Sequence, residues 1–130
     1  MIKQYPKDSN EQLTEHFNVS EFKCHCNEPS CVVTYLSTEL VEALQALRYR
    51  VGSLKVLSGY RCPLHNHDIG GEEHSFHKLG LAADVAHKKL TRYELRDEAK
   101  RIAQLANGGI GCYKWGCHFD VRGFAARWDG

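Results

Sequence analysis

One short stretch of the chain carries residue types that bind metal ions. His77 and Asp84 stand seven positions apart in the segment Ser75-x-His77-x-x-Gly80-x-Ala82-x-Asp84. An imidazole nitrogen and a carboxylate oxygen are both ordinary zinc ligands. Gly80 and Ala82 keep the intervening backbone slim enough for the two side chains to meet. The stretch therefore predicts two ligands of a metal site.

A third ligand is expected from His118 or Asp120, which fall on the same face of a predicted strand near the end of the chain. Their spacing does not decide between them. Imidazole is the commoner partner in a mixed site, so we predict His118 as the ligand. Four roles then remain open for Asp120: it orients His118, accepts a proton, replaces His118 as the ligand, or pairs with Arg122. A zinc ion with three protein ligands keeps a position for water and lowers the pKa of that water, which is the chemistry of hydrolysis.

These motifs resemble the family of zinc D-Ala-D-Ala carboxypeptidases and murein endopeptidases, whose fold is shared with the hedgehog signalling domain. The resemblance covers roughly residues 15 to 128 and rests on five features in the family's order, namely Ser58-Gly59-Tyr60-Arg61-Cys62-Pro63, Asn66 with Gly70-Gly71, the segment from Ser75 to Asp84, Gly109-Ile110-Gly111, and His118-x-Asp120. It implies a zinc cofactor held by His77, Asp84 and His118.

The resemblance also implies a function, that of a zinc metallopeptidase in cell wall degradation. Its substrate would be a peptidoglycan stem or cross-bridge peptide containing D-amino acids, and a peptidase of free D,D-dipeptides would differ only in substrate. Arg61 resembles the family's substrate arginine, whose planar fork suits a carbonyl or carboxylate group. A salt bridge within the fold is the alternative role for Arg61.

The clearest departure from the family lies at Trp115. The family usually has an acidic residue three positions before its last ligand, and Trp115 stands there. The identity of the general base is therefore open. Either Asp120 takes the role, or a residue from elsewhere in the chain does, or the protein binds its ligand without cleaving it. We predict Asp120 and Arg61 as catalytic residues. The alternative function is a non-catalytic zinc module that recognises a cell-wall peptide or a protein partner.

The site residues require a scaffold, which we predict as an α+β fold with a small central antiparallel sheet packed against helices. A core helix runs from Ser37 to a stop at Gly52, and a second begins with a capping box at Thr91 and ends at Asn107. The expected strands are 54–60, 84–86, 110–113 and 117–121, of which the last two make a hairpin around residues 114–116.

The remaining segments carry weaker signals within a single predicted domain of residues 1–130. Residues 1–20 are predicted to hold a short helix in an N-terminal flap, because Ser9 and Gln12 resemble a capping box. Residues 21–36 and 62–76 are predicted to be loops, and residues 123–130 a tail.

Composition excludes some partners. The formal net charge of +1 argues against a nucleic-acid binder. No run of about 18 apolar residues predicts a membrane span, and the first residues lack the apolar core of a signal peptide. With the cell-wall substrate that the resemblance implies, we therefore expect synthesis in the cytoplasm and action at the cell wall after release or delivery, as in phage lysis or from a virion, or else an N-terminus cut from a longer protein.

Cys24, Cys26 and Cys31 crowd into one short stretch. The spacing Cys24-x-Cys26 departs from the usual paired Cys-x-x-Cys pattern of structural zinc sites, and no second pair lies nearby in sequence. Buried thiols are the preferred interpretation, with a zinc knot or a disulfide as alternatives.

Overall fold

The computed structural model describes all residues from 1 to 130, arranged as strands, α-helices and two short 3₁₀ helices. The strands are β1 (Ile2–Pro6), β2 (Val33–Ser37), β3 (Lys55–Ser58), β4 (Ala82–Ala86), β5 (Gly109–Tyr113), β6 (Gly116–Asp120) and β7 (Ala126–Asp129). The α-helices are α1 (Thr38–Val51), α2 (Pro63–Asp68), α3 (Arg92–Ala99) and α4 (Ala103–Ala106). The 3₁₀ helices are Val19–Phe22 and Phe76–Leu79.

The central sheet has five strands in the order β3-β4-β6-β5-β7, and β1 pairs with β2 in a separate two-stranded sheet. Neighbours in the central sheet are antiparallel except β5 and β7, which run parallel. The predicted α+β class is thus confirmed, and the sheet departs from pure antiparallel pairing only at β7. No helix is both long enough and apolar enough to cross a bilayer.

Helix α1 has the boundaries that its sequence predicts. The Ser37 side chain accepts a hydrogen bond from the Leu40 N–H, and Gly52 ends the helix with a φ of 84°. The stripe formed by Leu40, Leu44 and Leu47 is fully buried. The amphipathic pattern therefore places this helix against the main core.

The central strands have an apolar face and a polar face. Alternate residues of β4 and β6 join the core cluster with side chains from α1, α3 and α4, namely Ala83, Val85, Cys117 and Phe119. Because side chains alternate along a strand, Asp84 and His118 project to the opposite face. That face carries the candidate site.

The predicted second helix is divided in the structure. Its capping box of Thr91 and Glu94 is present, as predicted. However, Ile102 adopts an extended backbone between α3 and α4 and turns its side chain into the core. A single helix to Asn107 was therefore wrong, because burial of Ile102 overrides local helix propensity.

The helix predicted within residues 1–20 is also wrong. Residues Ile2–Pro6 pair with β2, and Ser9 accepts only a turn hydrogen bond from the Glu11 N–H. The capping box in this region lies later, at Asn18 and Glu21, where it begins a 3₁₀ helix. The apolar end of the predicted loop 21–36 is the partner strand β2, so long-range pairing rather than a local cap organises this region.

Two further segments gain regular structure. Residues 62–76 were predicted as a loop but contain α2, with Pro63 in its first turn and the Cys62 side chain accepting from the His65 N–H. Residues 123–130 were predicted as a tail but contain β7. The β7 strand is fixed partly by Arg127, which donates to the carbonyl oxygens of Gly108 and Ala106.

Candidate active site

The structure brings His77, Asp84 and His118 together. Asp84 and His118 are direct cross-strand neighbours on β4 and β6, and His77 lies in the 3₁₀ helix that precedes β4. Asp84 Oδ1 lies 3.2 Å from His77 Nε2 and 3.2 Å from His118 Nδ1. One ligand atom from each residue lies within 4.8 Å of the others. The three donors therefore meet at one point.

Gly80 makes the approach of His77 to Asp84 possible. Its φ of 74° is left-handed, and a Cβ there would overlap the backbone carbonyl of Tyr35. Only glycine tolerates both conditions. Ala82 is fully buried at the start of β4. Close packing thus explains the small residues between the two candidate ligands, His77 and Asp84.

The hydrogen bond on the far side of His77 fixes which ring nitrogen faces Asp84. His77 Nδ1 lies 2.7 Å from the Gly59 carbonyl oxygen, which can only accept. Nδ1 therefore carries the proton and donates a hydrogen bond to this oxygen, so the Nε2 lone pair points towards Asp84. His77 is only 3% exposed, which holds the ring in this orientation.

His118 is oriented in the same way by Asp120. His118 Nε2 lies 2.7 Å from Asp120 Oδ2, and the carboxylate accepts a hydrogen bond from the Nε2–H group. The Nδ1 lone pair is then directed at Asp84 Oδ1. A carboxylate behind a ligating imidazole is the usual partner of a metal-bound histidine, since it fixes the tautomer and raises ligand basicity.

The donor set of the site requires a cation. Two imidazole lone pairs and a carboxylate oxygen that face each other at 3.2 Å repel unless a positive charge lies among them. In the metal-free protein a proton on an imidazole supplies this charge. The nitrogen, nitrogen and oxygen donors also match the ligands that zinc takes in catalytic sites. The residues present therefore fit the metal that the motifs predict.

The pKa shifts of Asp84 and His118 show the same preference for positive charge. Burial alone would raise the pKa of Asp84, but its contacts with His118 and His77 outweigh burial and hold the pKa well below its usual value. Burial alone would lower the pKa of His118, but Asp120 and Asp84 raise it above its usual value. The site thus stabilises both the carboxylate and a cation beside it.

Arg61 lies in the candidate site and binds Asp84. Its Nη2 donates to Asp84 Oδ2 at 3.1 Å, and its Nε donates to Ser58 Oγ at 3.1 Å. This leaves Asp84 Oδ1 for the two imidazoles. Arg61 also lines the cleft above the site. Both roles left open for Arg61, a salt bridge and a surface that faces substrate, are therefore compatible with its position.

Asp120 is saturated with hydrogen bonds and fully buried. Besides His118, it accepts bonds from the Gly109 N–H at 2.9 Å and from Arg122 Nε at 2.8 Å and Nη2 at 2.7 Å. Burial would raise the pKa of Asp120, but bonds from Arg122, His118 and Gly109 hold it well below its usual value. Among the roles left open for Asp120, orientation of His118 fits these contacts best.

The site opens into a cleft of about 580 Å³ that contains an aromatic wall. Tyr113 and Trp115 stack with ring centroids 4.8 Å apart, and Trp128 Nε1 donates to the Tyr113 hydroxyl at 2.7 Å. The Trp128 ring lies 5.2 Å from the His118 ring. Sequence reasoning missed Trp128 because it assigned the end of the chain to a tail. The one sequence signal for this contact was a glycine within strand β5. A Cβ at this position, Gly111, would overlap the Trp128 ring.

A set of two histidines and one carboxylate, at the base of an open cleft in an α+β fold, is characteristic of metal-dependent hydrolases. The sequence profile of a family described as Peptidase M15 matches residues 15–120, most of the chain, and the protein belongs to this peptidase M15 family. Membership confirms the family resemblance, and it supports a metallopeptidase activity and a peptide substrate. No curated protein matches the chain.

Proposed function

We propose that the protein is a zinc-dependent peptidase that cleaves peptidoglycan stem or cross-bridge peptides containing D-amino acids. The observation that carries this proposal is the convergence of donor atoms from His77, Asp84 and His118 at the base of an open cleft. Family membership supports a peptide substrate. The cell-wall substrate and the choice of zinc rest on the motif resemblance and on the donor chemistry.

Bound zinc would act as a Lewis acid and would lower the pKa of a water molecule at the site. The protein's own residues prepare the site and hold the substrate. Gly59 and Asp120 fix the tautomers of His77 and His118. Arg61 keeps Asp84 Oδ2 occupied and donates its Nε–H to Ser58, and the guanidinium N–H groups that remain would donate to a peptide carbonyl or carboxylate in the cleft.

We assign proton transfer to Glu72, a carboxylate of the cleft that has no partner within the protein. The cleft is lined by two carboxylates, Asp84 and Glu72, and Asp84 is already bonded to Arg61, His77 and His118. Glu72 is exposed, and its carboxylate makes no hydrogen bond or ion pair within the protein. Its carboxylate is thus free to accept a proton and return it to the leaving amine.

The Glu72→Gln variant tests this assignment. We expect metal content to stay normal and kcat to fall about a hundredfold or more, because general acid–base catalysis contributes that much. Glu73→Gln is the matched control, since Glu73 is exposed but does not line the cleft. Equal activity of the two variants would remove Glu72 from the mechanism.

The proposed function is tested by incubating the zinc-loaded protein with intact peptidoglycan and, separately, with D-Ala-D-Ala, followed by mass spectrometry of the products. We expect peptide fragments from peptidoglycan and none from Asp84→Asn, which keeps the side-chain shape but removes the ligand charge. Cleavage of the free dipeptide alone would make the protein a D,D-dipeptidase. Full cleavage by Asp84→Asn would contradict the metal-dependent proposal.

A second candidate function is a zinc-containing module that binds a cell-wall peptide or a protein partner without cleaving it. Trp115 favours it, because an exposed, stacked indole occupies the position of the family's acidic residue. Aromatic side chains at a cleft supply binding area. Sedimentation with insoluble peptidoglycan, with no fragments released from it and no turnover of D-Ala-D-Ala, would support this alternative.

A further inference from the structure

A second cluster of metal-binding residues lies outside the proposed active site. The three cysteines of the early stretch, Cys24, Cys26 and Cys31, are joined in the structure by Cys62, which follows Arg61. All four are free thiols, and their sulfur atoms lie within 4.8 Å of one another. The fourth cysteine, Cys62, is distant in sequence and reaches the cluster only through folding. For this reason the sequence showed no complete set of four cysteines.

The sulfur spacing matches a tetrahedral metal site. A zinc–sulfur bond of about 2.3 Å places the sulfur atoms of a tetrahedron about 3.8 Å apart. Cys26 Sγ and Cys62 Sγ lie 3.7 Å apart. Disulfide sulfur atoms, in contrast, are bonded at about 2.0 Å. The cluster therefore consists of four thiols around one point and not of two disulfides.

The surroundings of the cluster are those of metal-bound thiolates. The Cys62 N–H donates to Cys24 Sγ at 3.3 Å, and the His65 N–H donates to Cys62 Sγ at 3.4 Å. Lys7 Nζ lies 3.3 Å from Cys26 Sγ. Four thiolates around a divalent ion leave an excess of negative charge, which N–H donors and a nearby ammonium group offset.

We infer that Cys24, Cys26, Cys31 and Cys62 hold a structural zinc ion. Four sulfur ligands in a tetrahedral arrangement select zinc or iron among common metals, and a closed set of four leaves no position for a substrate. The metal replaces the thiol protons, which are released on binding. This inference does not depend on the proposed peptidase function.

The cysteine zinc site would tie an irregular segment to the active site. Residues 23–32 contain no helix or strand, so few backbone hydrogen bonds fix them. Cys62 is adjacent to Arg61 and caps α2. A zinc ion bound here anchors the irregular segment and the backbone that carries Arg61, much as structural zinc sites stabilise small folds.

The inference is tested on the intact chain, purified under reducing conditions, by elemental analysis and by cobalt substitution. We expect two zinc ions per wild-type chain. Cobalt in the cysteine site should show sulfur-to-cobalt charge-transfer absorption in the near ultraviolet, which nitrogen and oxygen ligands do not give. The Asp84→Asn variant should lose one zinc and keep this absorption, which separates the cysteine site from the proposed active site.

Cys26→Ser should lose one zinc and most of the charge-transfer absorption, whereas Cys112→Ser, a cysteine of the main core outside the cluster, should keep both. The wild-type cobalt spectrum decides the question even if a variant fails to fold. Absence of sulfur-to-cobalt absorption in the wild type would overturn the inference. The rate at which a thiol reagent modifies the cysteines is a second test, since bound zinc should protect the four cluster thiols. Equal rates with and without zinc would also overturn the inference.

Discussion

The hydrogen bond between Asp120 and His118 determines which imidazole nitrogen faces Asp84. Asp120 is fully buried and does not line the cleft, so it acts on the site through the two cleft residues that it binds, His118 and Arg122. A carboxylate that already accepts from Gly109 and twice from the Arg122 guanidinium has little capacity to accept a proton from substrate. We therefore treat Asp120 as a positioning residue.

The Asp120→Asn variant distinguishes positioning from proton transfer. A positioning role predicts metal affinity about 10–100-fold weaker, because the ligating imidazole loses its basic partner. Competition with a metal-binding dye measures this affinity. Arg122→Gln is the control, since it removes the ion pair but leaves the bond between Asp120 and His118. Normal metal affinity with lost turnover in Asp120→Asn would instead support proton acceptance.

Arg61 binds Asp84, a proposed metal ligand, and also lines the cleft, so its substitution should affect catalysis as well as stability. Arg61→Lys keeps the charge but cannot bind Asp84, Ser58 and substrate with one planar group. We expect kcat/KM to fall roughly a hundredfold, since loss of charge-assisted bonds to a developing oxyanion costs about 3 kcal/mol. Steady-state peptidoglycan cleavage and thermal unfolding on one preparation measure both effects.

The same substitution in a surface ion pair provides the comparison. Arg50 pairs with Glu98 outside the cleft and is partly exposed, so Arg50→Lys should leave kcat/KM unchanged. An Arg61→Lys protein that is destabilised yet has unaltered kinetics per folded molecule would restrict Arg61 to a structural role.

At the scale of elements, the turn before β4 holds the residues of the candidate metal site together. Gly80→Ala should lower the free energy of unfolding by about 3 kcal/mol, because a Cβ at a left-handed φ also collides with the Tyr35 carbonyl. Gly70 has a similar φ, 72° against 74° for Gly80, but open space where a Cβ would lie. Gly70→Ala should therefore lower the free energy of unfolding by only about 1 kcal/mol. Denaturant unfolding of both variants measures the difference. Equal losses would mean that backbone strain alone, without the collision, explains Gly80.

The elements that could be predicted from sequence are those with local signals. Helix α1 has a cap, an apolar stripe and a glycine stop, and the hairpin of β5 and β6 alternates so that His118 and Asp120 share a face. The strands β1 and β7 were missed because each is fixed by pairing with a distant partner. Short strands of this kind carry little local pattern.

The candidate site, like the fold, could be predicted only where its residues carry a local sequence motif. His77, Asp84 and His118 were found because their types and order match a family motif. Trp128 and Cys62 were missed as site components, since one reaches its place through the parallel pairing of β7 and the other through the packing of Tyr60 and Cys62 against Cys24. Sequence separation hides such contacts until the fold is known.

At the scale of the whole molecule, metal binding at the active site should stabilise the fold. His77, Asp84 and His118 come from separate parts of the chain, so the unfolded state does not present them together. A ligand that binds only the folded state adds about 2.7 kcal/mol when its concentration is a hundred times Kd. In a domain of this size about 1 kcal/mol raises Tm by roughly 4 °C, so a zinc-dependent rise of about 10 °C is expected from this site.

The zinc-dependent shift is measured by thermal unfolding of metal-free protein with increasing zinc. The difference between the shifts of wild type and Asp84→Asn isolates the active site, because both proteins keep the four-cysteine cluster. Comparing shifts rather than absolute Tm values also cancels the change in stability that follows when Arg61 loses its partner. We expect the wild-type shift to exceed that of Asp84→Asn by about 10 °C. Equal shifts would mean that His77, Asp84 and His118 do not bind zinc in the folded protein, even though their donor atoms converge.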